Sequence, residues 1–235
     1  MSPRIGFSTG ALAYSDFRTG LRMLVERNVP VVELSALRDR ELQPLVESLD
    51  SLPLSGFSYI SFHAPSSLTH LREIDVGTLL RSLIPRRWPI IVHPDIISDF
   101  SLWSSLGSLL CIENMDKRKP IGRTVAELEP VFQKLPEATF CFDIGHARQI
   151  DPTMSEASRL LKQFANRLQE VHMSEVGSNS KHEGMSFTAV SAFQKVSHLI
   201  PASVPIVLES VIPEEKIEQE IRLALSALHK AASAA

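Results

Sequence analysis

The sequence predicts an α/β protein, a single (β/α)8 barrel spanning residues 1–235 as one domain. Three observations lead there. Eight short β-rich runs alternate with eight helical segments over a length suited to one such barrel. The connections are short, with no long linker, Gly/Ser tract or repeat longer than the βα unit. The glycines form neither G-x-G-x-x-G nor a P-loop, which argues against an open nucleotide-binding sheet.

In chain order, Arg4 to Ser8 reads as a first strand. A loop over Thr9 to Ser15 and a helix from Asp16, its N-cap, to Arg27 follow. Val31 to Ser35 is strand two, and Leu37 to Leu49 has helical spacing. Tyr59 to His63 is strand three, stopped by Pro65. A helix over Val76 to Ile84 precedes strand four, Pro89 to His93, and a short one over Ser101 to Leu106 precedes strand five, Leu109 to Asn114. The helix Val125 to Leu135 has Thr124 as cap and Glu127 as capping-box partner. Strand six, Thr139 to Phe142, ends on Asp143 and turns at Gly145. A helix over Ser155 to Asn166 leads to strand seven, Leu168 to His172, and a Ser/Gly/Asn-rich loop over Ser174 to Ser186. A helix over Val190 to Leu199, strand eight over Pro205 to Ser210 and an amphipathic helix over Glu214 to Ala231 complete the alternation.

Composition narrows the function. At 44% hydrophobic the chain can bury a large core, and a net charge of −3 supplies no general basic field for nucleic acid. The N-terminus runs straight into a strand and no apolar run is of membrane-spanning length, so the expectation is a cytoplasmic protein with no membrane partner. Cys111 and Cys141 each sit two residues before an acidic strand terminus and read as reduced core thiols.

Barrel sites form at the C-terminal ends of the strands, where the βα loops converge. Those ends carry His63, His93, Glu113, Asp143, His172 and Glu209 on strands three to eight in succession, with His146 and His182 in the loops just beyond. Three carboxylates and five imidazoles gathered on one rim are costly without a cation, so the sequence predicts a divalent metal site. Glu33 at the end of strand two is a candidate substrate contact or an acid supporting a ligand from behind, and equally a helix-capping or salt-bridged rim residue. Glu170 shares the parity of His172 and so points into the barrel, where it needs a partner. Asn114 is a candidate to orient a ligand. Arg148 and Lys181 are loop cations beside the proposed ligands, read as solvated charges more readily than as anion binders. Lys117-Arg118-Lys119 reads as a solvated loop face, and Trp88 and Trp103 as packing residues.

The motifs F-H-A-P at His63, V-H-P at His93, I-E-N at Glu113, D-I-G-H at Asp143, V-H-M-S at His172 and L-E-S at Glu209 give the chain a resemblance. It resembles the xylose isomerase-like TIM-barrel superfamily, and most of all its endonuclease IV branch, over nearly its whole length. The resemblance implies a first zinc held by His63, His93 and a bridging Glu113, and a second held by Glu113, Asp143, His172 and Glu209. It implies a third on His146 and on the Asp and His of a D-x-H motif. Here that motif reads Ser180-Lys181-His182, so the aspartate is missing and Glu183 is the neighbouring substitute. The cofactor expectation is one to three divalent ions, zinc first, with manganese or iron suited to the same donors.

Two activities suit such a cradle, with Glu113, Glu209 and His146 as candidate catalytic groups. The first is a two-metal hydrolase acting on a phosphoester or similar bond of a small polar or phosphorylated substrate. The alternative is a one-metal sugar or sugar-phosphate isomerase or epimerase, with Glu113 and Glu209 moving a proton α to a carbonyl. The arginine that epimerases carry after the strand-seven histidine is absent from Glu175 to Ser178. An abasic-site DNA endonuclease ranks lower, given the acidic charge, the missing aspartate and Ser66-Ser67 where those endonucleases carry an aromatic. A metal-binding barrel without turnover ranks below both activities.

Overall fold

The computed structural model describes residues 3–229. Its strands are β1 (Ile5–Ser8), β2 (Val31–Ser35), β3 (Tyr59–His63), β4 (Ile90–Val92), β5 (Leu110–Glu113), β6 (Thr139–Asp143), β7 (Leu168–Met173), the short β8 (Glu175–Val176) and β9 (His182–Glu183), and β10 (Ile206–Leu208). The eight longer strands are parallel and close in the order β1-β10-β7-β6-β5-β4-β3-β2, while β8 and β9 form a separate antiparallel ribbon. The closed barrel is the fold expected from the alternating pattern.

Alternation along each strand sorts the side chains into two environments. Phe7, Leu34, Phe62, Phe140 and Phe142 are fully buried in the shell between strands and helices, where each stabilises the fold by roughly 1.5–3 kcal/mol. The alternate positions face the lumen. There Ile91, Cys111 and Cys141 form a small apolar cluster of their own, and both cysteines are free thiols, as expected. Glu33, Ser61, Glu170 and His172 are also fully buried, so the middle of the barrel is polar where most barrels stack branched aliphatics.

Register places the ligands. Ser35 pairs with His63 and Asp143 with His172, and an irregularity at Phe140/Cys141 brings Cys141 level with Glu170. Ten α-helices lie among the described residues: α1 (Thr9–Leu12), α2 (Phe17–Glu26), α3 (Asp39–Ser48), α4 (Glu73–Arg81), α5 (Phe100–Ser104), α6 (Val125–Lys134), α7 (Ile144–Ile150), α8 (Ser155–Gln163), α9 (Phe187–Gln194) and α10 (Ile217–Leu228). Asp16 caps α2 through Thr19 N, as its position predicts.

Four expectations need correction. The stretch Thr9 to Ser15 is not all loop, because Ser8 caps the one-turn helix α1. Gly145 does not turn the chain: Asp143 accepts a hydrogen bond from His146 N and caps α7, a helix absent from the sequence pattern. Thr124 does cap α6 through Glu127 N, but the Glu127 carboxylate goes to Arg123 instead of back to Thr124, so the capping box is half formed. The loop over Ser174 to Ser186 contains the β8–β9 ribbon. The last two residues of the helix expected over Glu214 to Ala231 lie outside the described residues, and its first turn is a 3-10 turn, Glu214–Lys216.

Candidate metal centre

The six strand-end residues converge. Glu113, nearly fully buried at the end of β5, stands at the middle, and its two oxygens face different partners. Oε2 lies 3.3 Å from His63 Nε2 and 3.1 Å from His93 Nε2. Oε1 lies 3.6 Å from His172 Nδ1 and 3.3 Å from His146 Nδ1. Of five groups of potential ligand atoms, three share out the strand-end and loop residues: His63, His93 and Glu113; Glu113, Asp143, His172 and Glu209; and Asp143, His146 and His182. The other two, His63 with His172 and Glu209 and Cys141 with Glu170 and His172, overlap them. In each group the ligand atoms lie within 4.8 Å of one another.

Local structure aims each donor. His63 Nδ1 donates to Ala64 O at 2.6 Å, which leaves Nε2 with its lone pair toward Glu113. His146 Nδ1 donates to Asn114 O at 2.9 Å. The Asn114 side chain bonds Asp143 in both directions, accepting from Asp143 N at 2.8 Å and donating to Asp143 O at 2.8 Å. It therefore locks the ends of β5 and β6 together through the Asp143 backbone. Gly145 is required by a close approach, since a Cβ there would lie 2.5 Å from Ser174 O. Any larger residue would push α7, and His146 with it, away from β7.

The donor set fits a cation. Two buried atoms in the middle group, Asp143 Oδ2 and His172 Nδ1, have no hydrogen-bond partner. Burial opposes the charge on Glu113, but the imidazoles around it, His93 foremost and then His146, His172 and His63, outweigh it and hold the carboxyl well below its usual range. Burial likewise disfavours charge on His63, yet Glu33, Glu113 and Glu209 raise it to about 9. Against the same burial, Asp143 and Glu113 raise His146 to about 10. Burial pushes Asp143 and Glu209 up and His93 and His182 down. The set is thus divided: Glu113 ionises and His63 and His146 hold protons that an ion would displace, while burial keeps Asp143 and Glu209 from ionising and His93 and His182 from protonating, and there an ion would supply positive charge.

The third group differs from the one the resemblance implies. Ser180, with a left-handed φ of 57°, hydrogen-bonds Gln149 and supplies no ligand atom. Glu183 is exposed and belongs to none of the three groups, so Asp143 is the carboxylate beside His146 and His182. Ser174 Oγ lies 2.8 Å from His182 Nδ1.

The centre opens into a cavity of about 610 Å³ whose wall includes His63, His93, His146, His182 and Glu209. Contrary to the reading of Lys117 to Lys119 as a solvated face, Arg118 and Lys119 also line it. Lys119 Nζ donates to Ser66 O at 2.6 Å and to Asp95 Oδ2 at 2.8 Å, strapping together the loops that follow β3, β4 and β5. Lys119→Met is expected to weaken ion binding at the His63–His93 position by roughly tenfold with little change in melting temperature. A metal titration with thermal melts checks it, and unchanged affinity would show that the strap does not position the His63–His93 pair. Arg148 is held by Glu175 at 2.9 Å, away from the cavity wall. Trp103 is fully buried and donates to Glu73, and Trp88 packs under Arg86, so both are packing residues.

Comparison with known proteins gives the fold. No protein-family model and no curated protein matches the sequence. Solved structures do. Endonuclease IV from Thermus thermophilus superposes with a TM-score of 0.64 at 16% identity, over 96% of this chain and 99% of that one. SacUVDE gives 0.58 at 15% identity over 96% of each chain. A protein proposed to be a sugar phosphate isomerase/epimerase, from Anabaena variabilis ATCC 29413, gives 0.56 at 15% identity over 94% of this chain and 88% of that one. The barrel is the one these structures share, in line with the resemblance read from the strand-end motifs. Among the described residues no helix is long and apolar enough to cross a membrane.

Proposed function

We propose that the chain is a metal-dependent hydrolase, with two ions bridged by Glu113, acting on a phosphoester or similarly polar bond of a small molecule. The observation that carries this reading is the division of Glu113, with Oε2 turned to His63 and His93 and Oε1 to the group containing His172. A one-ion site has no use for His63 and His93. Two bound ions would supply an activated water and charge stabilisation at the leaving oxygen. The protein's own groups do the rest. Glu209 and His146 both line the cavity and are the groups placed to hold or move a proton. Lys181, on the cavity wall with no ion-pair partner among the described residues, is placed to meet an anionic substrate group.

A sugar or sugar-phosphate isomerase or epimerase is the second reading. Glu113, Asp143, His172 and Glu209 make a complete four-donor group by themselves, and both glutamates line the cavity. The likeness to endonuclease IV supports a phosphoester as the bond attacked. Against DNA as the substrate, the mouth's Arg38, Arg118 and Lys119 are each paired with an acid, Glu41, Asp116 and Asp95, so that Lys181 is the cavity-wall cation without one among the described residues, suited to a single anionic group.

Elemental analysis of the purified protein is the test, with zinc as the first ion and manganese and iron measured beside it. Two ions per chain, falling to one in His63→Ala, is the expected result. One ion per chain, indifferent to His63, would overturn the hydrolase reading in favour of the isomerase, and deuterium wash-in at a substrate carbon would then be sought.

A further inference from the structure

Two buried carboxylates beneath the centre have no part in the proposed reaction. Glu33 Oε2, from β2, lies 3.0 Å from His172 Nε2, and Glu170 Oε1, from β7 itself, lies 2.9 Å from the same nitrogen. All three side chains are fully buried. The Glu33 arm is itself held: Ser35 Oγ donates to Glu33 Oε1 at 3.2 Å and is 2.6 Å from Ser8 Oγ, so β1 and β2 both support it. The opposite nitrogen of His172, Nδ1, points at Glu113 and Glu209, 3.6 Å from each, and has no hydrogen-bond partner.

An imidazole that donates through Nε2 must present its lone pair on Nδ1, because the neutral ring carries one N–H. A carboxylate accepts only, so either glutamate selects that tautomer, and a second one from the other side also fixes the plane of the ring. We propose that Glu33 and Glu170 are positioning residues which clamp His172 from two strands so that Nδ1 is held as a ligand for the ion shared by Glu113, Asp143 and Glu209. The inference rests on the reading of that group as an ion site. It assigns the partner that the parity of Glu170 demanded, and it gives the polar lumen a purpose. Each arm backs up the other, so removing one leaves the tautomer in place and removing both releases it.

Methionine removes the acceptor while keeping volume, and replacing a buried charge with an apolar group of similar size is often tolerated. In the intact chain, Glu33→Met and Glu170→Met singly should weaken binding of the second ion by no more than about threefold, and the double variant by about 10- to 100-fold. The first ion, on His63 and His93, should hold its affinity within about twofold throughout. Glu33→Gln with Glu170→Gln, which keeps an acceptor oxygen at each place, should restore part of the loss. Nitrogen NMR of the isotope-labelled imidazoles, recorded without metal at a pH alkaline enough to leave His172 neutral, should show it as the Nε2–H tautomer in wild type and lose that preference in the double methionine variant. Retention of both ions in the double methionine variant would overturn the clamp, as would equal loss of both ions with methionine and glutamine alike. A wild-type protein that takes up no divalent ion would overturn the site's reading itself. That failure is distinguishable, because the tautomer measurement needs no ion.

Discussion

Glu113→Gln is expected to release both ions and to lower turnover by about a thousandfold or more, the size of losing several kcal/mol of transition-state stabilisation. The reason is position. Glu113 is the one side chain that both the His63–His93 pair and the Asp143–His172–Glu209 group share. An amide still fills its volume but carries no charge. Four imidazoles, those of His63, His93, His146 and His172, would be left around a neutral group. Losing one partner from such a buried set costs about 3–5 kcal/mol, so the melting temperature should fall as well. Metal content, turnover on a phosphoester panel and a thermal melt, run on one preparation, separate the effects. A variant that keeps two ions per chain would remove Glu113 from the bridging position. The contrast with His63→Ala, which should strip only the first ion, makes the assignment specific.

The second large effect lies away from the centre. Asp39→Ala is expected to destabilise the fold by about 3 kcal/mol, because three backbone N–H groups lose the one buried acceptor they share. Asp39 is 1% exposed at the start of α3, and its Oδ2 accepts from the backbone N–H groups of Thr69, His70 and Leu71. Burial opposes the charge, yet the N–H groups of His70, Leu71 and Thr69 overcome it and hold the carboxyl far below the usual range. The sign follows from that direction. A depressed carboxyl contributes its stability in full above the unfolded value, about 3.9, and loses it as the pH falls further toward the depressed one. Urea unfolding of metal-stripped protein from pH 7 down to about pH 3 should therefore show a steeper acid loss in wild type than in Asp39→Ala. Parallel curves would contradict the assignment.

Much of the barrel is legible because buried strands of this chain end on polar residues, and polar residues at buried ends are hard to explain otherwise. His63, His93, Glu113, Asp143, His172 and Glu209 announce themselves in that way, one strand after another. Other features are hidden for definite physical reasons. The helix after Asp143 reads as a turn because Gly145 is a poor helix former, yet its lack of a Cβ is what lets α7 lie against Ser174. Lys119 looks like one charge in a solvated run, since nothing local tells that Ser66 and Asp95 converge on it after the loops fold. The partner of Glu170 is out of reach for a simpler reason. His172 is two positions away on its own strand, but its use as the shared target of Glu33 requires residues 139 apart to meet across a closed barrel. That Asp143 is the carboxylate beside His146 and His182 likewise emerges only in three dimensions.

The split of Glu113 between two ligand groups also has a meaning in the order of synthesis. His63, His93 and Glu113 are complete once the first half of the chain has emerged, whereas Asp143, His172 and Glu209 arrive only with β6, β7 and β10. A nascent chain thus owns a full three-donor set long before the barrel can close, while the second set waits for the last strand. An ion taken up early would staple β3, β4 and β5, neighbours in the sheet, and favour the arrangement to which the later strands add. The donor set thus divides into a half drawn from adjacent strands and a half that exists only when the ring is whole.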